Sequence, residues 1–396
     1  MIALVALLLA PSQVMIVTPR GETAVPVTTE RGWAALAAPL LAGPLDLTTT
    51  LDGTQATVGL AGTVFVFQLG APYVRASGVV CALVGAPYLA RDTLFLPLEW
   101  LAVSLPRVLG SRYRWDAAAA RLEELPEGVP LARTAPASAA VPGTPNQLTG
   151  LRLPHAIVID PGHGGADPGN PGLYFPAGLV EKDITLRVAR LLRAELTRRG
   201  LAARLTRTSD TLVDLADRGA LCSSDCDLFI SIHVNAMPPG RRRDWASGVE
   251  TYFLSDAKTE DQARVAKMEN DAIRFETGAS GAATGPVGFI LRDLQLNEYL
   301  RESARLAELV EERVSIVHPG GGRGVQQAGF MVLTTARRPA ILVETGFATN
   351  REDADFLASG LGEHKIASAI ADGIIAYLLE FERKLAGAAP PGGEDR

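Results

Sequence analysis

Hydrophobic and polar positions divide the chain into a strand-rich first part and a longer part in which strands and helices alternate. Within residues 13–127, apolar runs such as Ala56–Leu60 and Thr63–Leu69 are separated by Gly, Pro and Asp, and helical patterns occur near Trp33–Leu41 and Leu98–Leu105. Short alternating runs broken by turn residues indicate strands, whereas apolar positions three or four apart indicate helices. The first part is therefore predicted to be a small α+β domain.

Residues 153–385 show a regular alternation of strand and helix patterns. Strands are predicted at His155–Asp160, Ala203–Arg207, Asp227–Val234, Val249–Leu254, Gly329–Leu333 and Ala340–Glu344, and helices at Glu181–Arg199, Asp214–Leu221, Thr259–Glu276, Asp293–Val314 and Leu361–Arg383. Such alternation favours an α/β fold with a central, mostly parallel sheet and helices on both faces.

Composition marks the boundaries of these regions. Residues 128–152 include the segment PLARTAPASAAVPGTPNQLTG, which has no hydrophobic period and is predicted to be a linker. The last residues, 386–396, read AGAAPPGGEDR and are predicted to be a disordered tail.

The chain begins with the apolar run IALVALLLA, which is too short for a transmembrane helix but has the length of a signal-peptide core. Residues 1–12 are therefore predicted to be a signal peptide, with a buried first strand as the alternative. No later segment is long and apolar enough to span a bilayer. We expect an exported chain in the periplasm or the extracellular cell envelope, with no stable membrane span after processing.

Charge and cysteine content narrow the classes of partner. The net charge of −6 and a pI near 5.5 argue against a nucleic-acid partner, which normally requires a basic face. The three cysteines, Cys81, Cys222 and Cys226, are too few for a disulfide framework. Disulfide geometry is narrow, so bridging Cys222 to Cys226 would require local distortion, and we expect plain burial for all three.

Three polar residues lie at or just beyond the carboxyl ends of apolar strands. His163 follows the strand AIVID in a glycine-rich turn, His233 lies near the end of FISIHV, and Glu344 ends AILVE. In open α/β sheets, sites form at this edge. Burying such groups without partners would cost several kcal/mol each, so a common ligand is the economical explanation. Glu181 opens a helix, where a carboxylate is also favoured by the helix dipole alone.

Four segments occur in a fixed order, IVIDPGHGGADPGNPG, LVEKDITLRVARLL, LFISIHVNA and ILVETGFATN, and they resemble the signature blocks of the zinc-dependent N-acetylmuramoyl-L-alanine amidases of the type-3 family. The resemblance covers about residues 153–382. It implies that His163, Glu181 and His233 bind Zn²⁺ and that Glu344 is the catalytic general base. The expected substrate is peptidoglycan, cleaved between the lactyl group of N-acetylmuramic acid and L-alanine, and an activator protein is an expected partner.

Neighbouring residues of these blocks are expected to support the site. Asp160 is a candidate acceptor for a histidine N–H, and Asn235 a candidate supporting residue, with turn capping as the alternative for both. Ser231 lacks the surroundings of a nucleophilic serine. In the first domain, the stretch Leu94–Leu125 resembles the repeating unit of copper amine oxidase N-terminal-like domains. That region contains no histidine, so no copper site is predicted.

Two other functions use the same residues. One is a catalytically silent peptidoglycan-binding module, which the presence of Glu344 argues against. The other is a zinc peptidase acting on wall peptides, which the absence of motifs such as H-E-x-x-H argues against.

The stretch between about Thr259 and Val317 is long for a connection in an α/β fold, and it is predicted to cover the site. Cell-division amidases that this chain resembles carry an insertion here, in which a glutamate occupies the open coordination position until an activator displaces it. Glu276 is the residue that the sequence offers for this plug. A solvated carboxylate at a helix end is the alternative.

Overall fold

The computed structural model describes residues 12–126 except 32, 78, 84, 117 and 118, and residues 144–387 except 223–225, 241–243, 277–296 and 337. The described residues form two compact units: the first comprises residues 12–126, and the second comprises residues 144–276 and 299–387. The predicted signal-peptide core, most of the predicted linker and nearly all of the predicted tail lie outside the described residues.

Residues 144–152, predicted as the end of the linker, are part of the second unit. The Asn146 side chain donates a hydrogen bond to the carbonyl of Arg199 at 3.1 Å. Leu151 is buried in the unit's hydrophobic core. The folded unit therefore begins before residue 153.

The first unit is rich in antiparallel strands, as the alternating apolar runs predict. Its elements are β1 (Gln13–Thr18), β2 (Gly21–Pro26), β3 (Ala35–Ala37), α1 (Ala38–Leu45), β4 (Thr48–Asp52), β5 (Gln55–Leu60), β6 (Thr63–Gln68), β7 (Tyr73–Ala76), β8 (Val79–Ala82), β9 (Tyr88–Ala90), β10 (Thr93–Pro97), α2 (Leu105–Leu109), β11 (Tyr113–Asp116) and β12 (Arg121–Glu124). They form three sheets, in the orders β11-β12-β1-β2, β3-β10-β9 and β4-β5-β6-β7-β8. Phe65 and Phe67 of β6 pack edge-on against buried Trp100, which anchors this core.

The second unit alternates strands and helices. Its elements are β13 (Ala156–Pro161), α3 (Glu181–Arg198), β14 (Ala202–Leu205), α4 (Leu215–Ala220), β15 (Leu228–Asn235), β16 (Val249–Leu254), α5 (Glu260–Asn270) with a 3₁₀ turn (Asp271–Phe275), α6 (Asn297–Val317), β17 (Gly322–Ala328), α7 (Met331–Thr334), β18 (Ala340–Phe347), α8 (Arg351–Leu357) and α9 (Gly360–Gly387). The sheet order is β14-β13-β15-β18-β16-β17. Only the β16–β18 pair is antiparallel among the described strands of this sheet.

The centre of this sheet is buried on both faces. Every residue of β15 and of β18 is buried, which is why these strands are apolar without a period of two. Helix α3 buries one stripe, including Ile184, Val188 and Leu192, because its apolar residues recur every three or four positions. The predicted α/β class, a mostly parallel sheet with helices around it, is confirmed. Among the described residues, no helix is both long and apolar enough to cross a membrane.

The strand predicted at Gly329–Leu333 is wrong. The strand is the preceding polar segment, β17, and the apolar residues after it form α7. Edge strand β17 pairs only with β16 within the described sheet and is largely half-exposed, so it needs few apolar residues. Phe330, Val332 and Leu333 are apolar because they turn into the core.

The expectation of plain burial for Cys222 and Cys226 is also wrong, because the two form a disulfide. Helix α4 ends at Ala220, before the first of the two cysteines, so helical geometry does not hold them apart. Their Cα atoms lie 5.1 Å apart, inside the range that a disulfide requires. Cys81 is buried, as expected.

His155 links the start of the central sheet to the last helix. Its Nε2 lies 3.0 Å from Glu382 of α9, and its Nδ1 lies 3.6 Å from Asp227. Burial alone would lower the pKa of His155, but the Asp227 and Glu382 carboxylates raise it to about 9. The pKa of the folded state thus exceeds the unfolded value of about 6.5. The stabilisation is fully present below pH ~6.5 and is lost as the pH rises through about 9.

We therefore expect His155→Gln to lower the thermal unfolding midpoint by several degrees at pH 6 and by clearly less at pH 9.5. Exposed His364→Gln is the control and should change the midpoint little at either pH. An equal destabilisation by His155→Gln at both pH values would contradict an ionic role for His155.

Candidate metal centre

Four buried side chains converge at the carboxyl edge of the sheet. His163 follows β13, Glu181 is the first residue of α3, His233 lies in β15 and Glu269 lies near the end of α5. One potential ligand atom from each lies within 4.8 Å of the others. The structure thus brings together the three residues predicted as metal ligands. It adds Glu269, which sequence reasoning missed.

The distances among these atoms match the edges of a small coordination polyhedron. Nε2 of His163 lies 3.0 Å from Glu181 Oε1 and 3.2 Å from Glu269 Oε2. Nδ1 of His233 lies 3.4 Å and 2.7 Å from the same two oxygens. A tetrahedral zinc ion with bonds of about 2.0–2.1 Å separates its ligand atoms by roughly 3.3 Å. The cluster therefore has the size and the donor set that fit such an ion.

The inward-facing atoms are not satisfied by hydrogen bonds. Within the described part of the chain, Nε2 of His163, Nδ1 of His233 and Oε2 of Glu269 are buried without a hydrogen-bond partner. Burial alone would lower the pKa of His233, but the Glu269 and Glu181 carboxylates raise it to about 10. The two carboxylates therefore favour a positive charge between the two histidine rings. Protons and a metal ion would compete for these nitrogens.

Asp167 orients His163. Its Oδ2 lies 2.7 Å from Nδ1 of His163, so Nδ1 carries the proton and the lone pair of Nε2 faces the cluster. Asp160, predicted as the acceptor of a histidine N–H, does not have this role. The sequence does contain a signal for Asp167, because it follows His163 by four residues within the same glycine-rich block.

Asp160 instead holds the floor of the site together. It accepts hydrogen bonds from Thr206 Oγ1 at 2.6 Å, Ser231 Oγ at 2.7 Å and Arg218 Nη1 at 3.1 Å. Burial alone would raise the pKa of Asp160, but Arg218 and the two hydroxyls lower it. Arg218 also donates to the carbonyl of His163 at 2.8 Å. Asp160 therefore acts on the histidine through a buried arginine.

A second buried arginine joins the His163 loop to helix α3. Arg207 Nη2 donates to the carbonyl of Gly162 at 2.8 Å and to that of Lys182 at 2.9 Å. Burial and the neighbouring Arg218 lower the pKa of Arg207 to about 10. One guanidinium thus fixes two segments that carry potential ligands.

The backbone of the glycine-rich loop is tightly constrained. His163 has a φ of 62°, a left-handed conformation that costs a non-glycine residue about 1–3 kcal/mol. A Cβ at Gly162 would lie 2.4 Å from the His233 ring, and one at Gly169 would lie 2.7 Å from Glu181 Oε2. Side chains at these positions would displace His233 and Glu181, which explains the glycines.

Both oxygens of Glu181 are fixed by backbone donors. Oε1 accepts from the N–H of Val234 at 2.8 Å, and Oε2 accepts from the N–H of Asn170 at 2.7 Å. Its position at the start of α3 is also favoured by the helix dipole. Glu181 therefore presents Oε1 to the cluster in one orientation.

Glu344 lies beside the cluster on the neighbouring strand. It is paired with His233 in the β15–β18 register, so both side chains face the same side of the sheet. Glu344 is completely buried, and neither of its carboxylate oxygens has a hydrogen-bond partner among the described residues. Burial and then the Glu269 carboxylate raise the pKa of Glu344 well above its ordinary value. The carboxyl group of Glu344 therefore makes no hydrogen bond that stabilises the fold among the described residues.

Glu276, the residue predicted as a plug, does not reach the cluster. Its Oε1 accepts a hydrogen bond from the N–H of Leu215 at 2.8 Å, where it caps helix α4. Glu269, seven residues earlier, occupies the position beside the histidines. Residues 277–296 of the predicted cover lie outside the described residues.

Helix α5 is fastened over the site at several points. Arg264 donates to the carbonyl of Ala236 at 2.8 Å, just beyond β15. The Asn270 side chain donates to the carbonyl of Gly329 and accepts from the N–H of Met331, both at 2.8 Å. These contacts hold Glu269 against the two histidines.

The chain is similar to known proteins over its second unit. The family described as N-acetylmuramoyl-L-alanine amidase matches residues 157–376. N-acetylmuramoyl-L-alanine amidase AmiA of Escherichia coli is 33% identical over 233 residues, which are 58% of this chain and 78% of that protein. AmiC of Neisseria meningitidis is 32% identical over 56% of this chain and 52% of that protein. The solved structure of AmiC2 of Nostoc punctiforme has 31% identity and a TM-score of 0.42, covering 57% of this chain and 97% of that one.

The matched range includes the four residues His163, Glu181, His233 and Glu344. The chain belongs to the N-acetylmuramoyl-L-alanine amidase family.

Proposed function

We propose that this chain is an exported, zinc-dependent amidase of the cell envelope that separates the stem peptide of peptidoglycan from its glycan strand. The bond cleaved is the amide between the lactyl group of N-acetylmuramic acid and L-alanine. One observation carries this proposal: the unpaired, buried carboxylate of Glu344 lies next to a metal-competent cluster in a chain of the amidase family.

His163, Glu181 and His233 would hold the zinc ion, since each has its ligand atom directed inward and its other polar atoms fixed or packed. Zinc bound by three protein ligands supplies Lewis-acid polarisation of a carbonyl and lowers the pKa of water to about 7. Asp167 keeps His163 in the ligating tautomer. Arg218 and Arg207 hold the strained loop carbonyls, so that the ligands are placed before substrate arrives.

Glu344 performs the proton transfers. As a carboxylate, it accepts a proton from the attacking water. As a carboxylic acid, it returns that proton to the departing amino group of L-alanine. Its burial suits both tasks, because a raised pKa makes the carboxylate a stronger base towards water and lets the carboxylic acid keep its proton nearer to neutral pH than an exposed carboxyl group would. Because neither carboxylate oxygen of Glu344 has a hydrogen-bond partner among the described residues, a change in its protonation state breaks no hydrogen bond there.

Glu269 keeps the chain in a resting state. Its Oε2 lies where a fourth ligand would be, so substrate and Glu269 exclude one another. An activator protein that detaches α5 from the Arg264 and Asn270 contacts would open the site. This proposal places the predicted plug on α5 at Glu269 and not at Glu276.

Digestion of purified sacculi by the zinc-loaded chain, followed by mass spectrometry, tests the reaction. An amidase leaves a free lactyl carboxylate and a new L-alanine amino terminus. Release of D-alanine would instead indicate a carboxypeptidase, and the absence of products from a chain freed of its plug would indicate a binding module.

We expect His163→Ala and His233→Ala to lose the zinc that elemental analysis finds at about one ion per wild-type chain, because each removes an imidazole that the cluster cannot replace. His364→Ala, on the exposed face of α9, should keep it. Full zinc content in both cluster variants would show that the ligands are elsewhere.

Glu344→Gln should retain zinc but lower kcat on sacculi by about 10²–10⁴-fold, since the amide cannot accept the proton. Zinc content and the unfolding midpoint are measured alongside the rate. A variant with near-normal turnover would rule out Glu344 as the general base.

Glu269→Ala should raise basal activity on sacculi, because the coordination position opens without an activator, while zinc content stays the same. Glu276→Ala is the matched control, since it alters a carboxylate of the same segment whose hydrogen bond is to the first residue of α4. Equal activity in wild type and Glu269→Ala would contradict the resting-state proposal.

A further inference from the structure

A row of functional side chains crosses the sheet beside the cluster. In the strand registers, His233 of β15 is paired with Glu344 of β18, and Glu344 is paired with Glu250 of β16. Paired residues present their side chains to the same face. The next strand, β17, runs alongside β16 with an irregularity between Val249 and Thr251, at the level of Glu250 and Arg323. Arg323 therefore ends the row that begins at the proposed metal ligand.

Glu250 is a fixed member of this row. It is buried, and its Oε2 accepts hydrogen bonds from Asn235 Nδ2 and the Tyr252 hydroxyl, both at 2.9 Å. Its Oε1 accepts from Arg323 Nε at 2.6 Å. Asn235, expected to support the site, thus acts through Glu250. With all these partners, Glu250 is suited to position Arg323 and not to carry out chemistry itself.

Arg323 keeps most of its donors available. Its guanidinium lies 5.2 Å from the centre of the Phe347 ring, which supports one face. Only Nε is used by Glu250, and neither Nη nitrogen has a hydrogen-bond partner among the described residues. The side chain is 37% exposed. A stacked, anchored guanidinium with two free nitrogens is the geometry that binds a carboxylate through parallel hydrogen bonds.

Helix α5 covers this row from end to end. Glu269, near its end, lies against the two histidines, and Gln262, in its first turn, contacts Gln326 of β17. Burial alone would lower the pKa of Arg323, but Glu250 and then Asp261 of α5 raise it. The helix thus places one carboxylate at the metal end of the row and a second near the Arg323 end. A ligand that replaces α5 would lie along the same line.

We infer that Arg323 binds the free carboxylate of the second residue of the stem peptide. This inference rests on the proposed amidase function. The guanidinium of Arg323 is held at Glu250 of β16, and neighbouring strands such as β16 and β18, which carries Glu344, lie about 4.8 Å apart. Two residues of extended peptide span about 7 Å. A stem peptide whose first amide lies beside Glu344 therefore brings its second residue within hydrogen-bonding reach of Arg323. Arg323 is therefore a specificity-determining residue for acidic stem peptides.

The test compares two synthetic muropeptides that differ only in this group, which is a free carboxylate in one and a carboxamide in the other. The zinc-loaded full chain is used with Glu269→Ala as the parent, and released peptide is measured by mass spectrometry. The parent should prefer the carboxylate in kcat/KM by about 10–100-fold, mainly through KM, as expected for a charge-assisted pair. Arg323→Gln should bring this ratio close to one, and Arg323→Lys should give an intermediate ratio.

Two further variants separate recognition from structure. Arg187→Gln removes another half-exposed arginine paired with a buried glutamate, Glu363, and should keep the parent's ratio. Arg323→Gln combined with Glu250→Gln removes the carboxylate that Arg323→Gln alone would leave without its arginine, and its ratio should still be close to one. A loss of rate on both substrates with an unchanged ratio would show that Arg323 only supports Glu250, which would overturn the inference.

The inference and the proposed function fail differently. If the parent cleaves both muropeptides with equal kcat/KM, the amidase function stands and the role of Arg323 is overturned. If the parent, with zinc bound, cleaves neither muropeptide nor sacculi, the proposed function fails and the inference fails with it.

Discussion

The convergence of buried ligand atoms from His163, Glu181 and His233 is the constraint on which the second unit depends. Three polar groups directed at one point would cost several kcal/mol each if no cation balanced them. The surrounding structure exists to hold them there: a left-handed histidine, glycines without room for a side chain, and two buried arginines that bind loop carbonyls. A sheet that only packed against its helices would need none of these features. The strained backbone of the loop has a cost in free energy, and in return the ligand atoms are held in place before a metal ion binds.

In the proposed function, one sheet edge serves catalysis, substrate recognition and the resting state. Neighbouring strands place His233, Glu344 and Glu250 in register, so that ligand, proposed base and positioning carboxylate are separated by one strand each. Helix α5 lies across this edge and supplies Glu269 to the cluster. If substrate and Glu269 exclude one another as proposed, an activator need only move helix α5.

Much of this arrangement could be predicted from sequence, and the failures have physical causes. His163, His233 and Glu344 are recognisable because polar residues at the ends of apolar strands are unusual, and parallel strands end at one edge. Glu269 gives no such signal, since a carboxylate on an amphipathic helix is ordinarily solvated, and only tertiary contacts place α5 over the site. Asp167 and Asp160 belong to one block, and only the loop conformation decides which of them meets the imidazole. Edge strand β17 could not be recognised from apolar residues, because it is largely half-exposed and is therefore polar.

X-ray absorption at the zinc edge of the purified chain tests the central claim most directly. The account predicts a first shell of two imidazole nitrogens and carboxylate oxygens at about 2.0–2.2 Å, with no sulfur. A shell that contains sulfur at about 2.3 Å, or scattering from fewer than two imidazoles, would contradict the assignment of His163, Glu181 and His233 as the metal ligands.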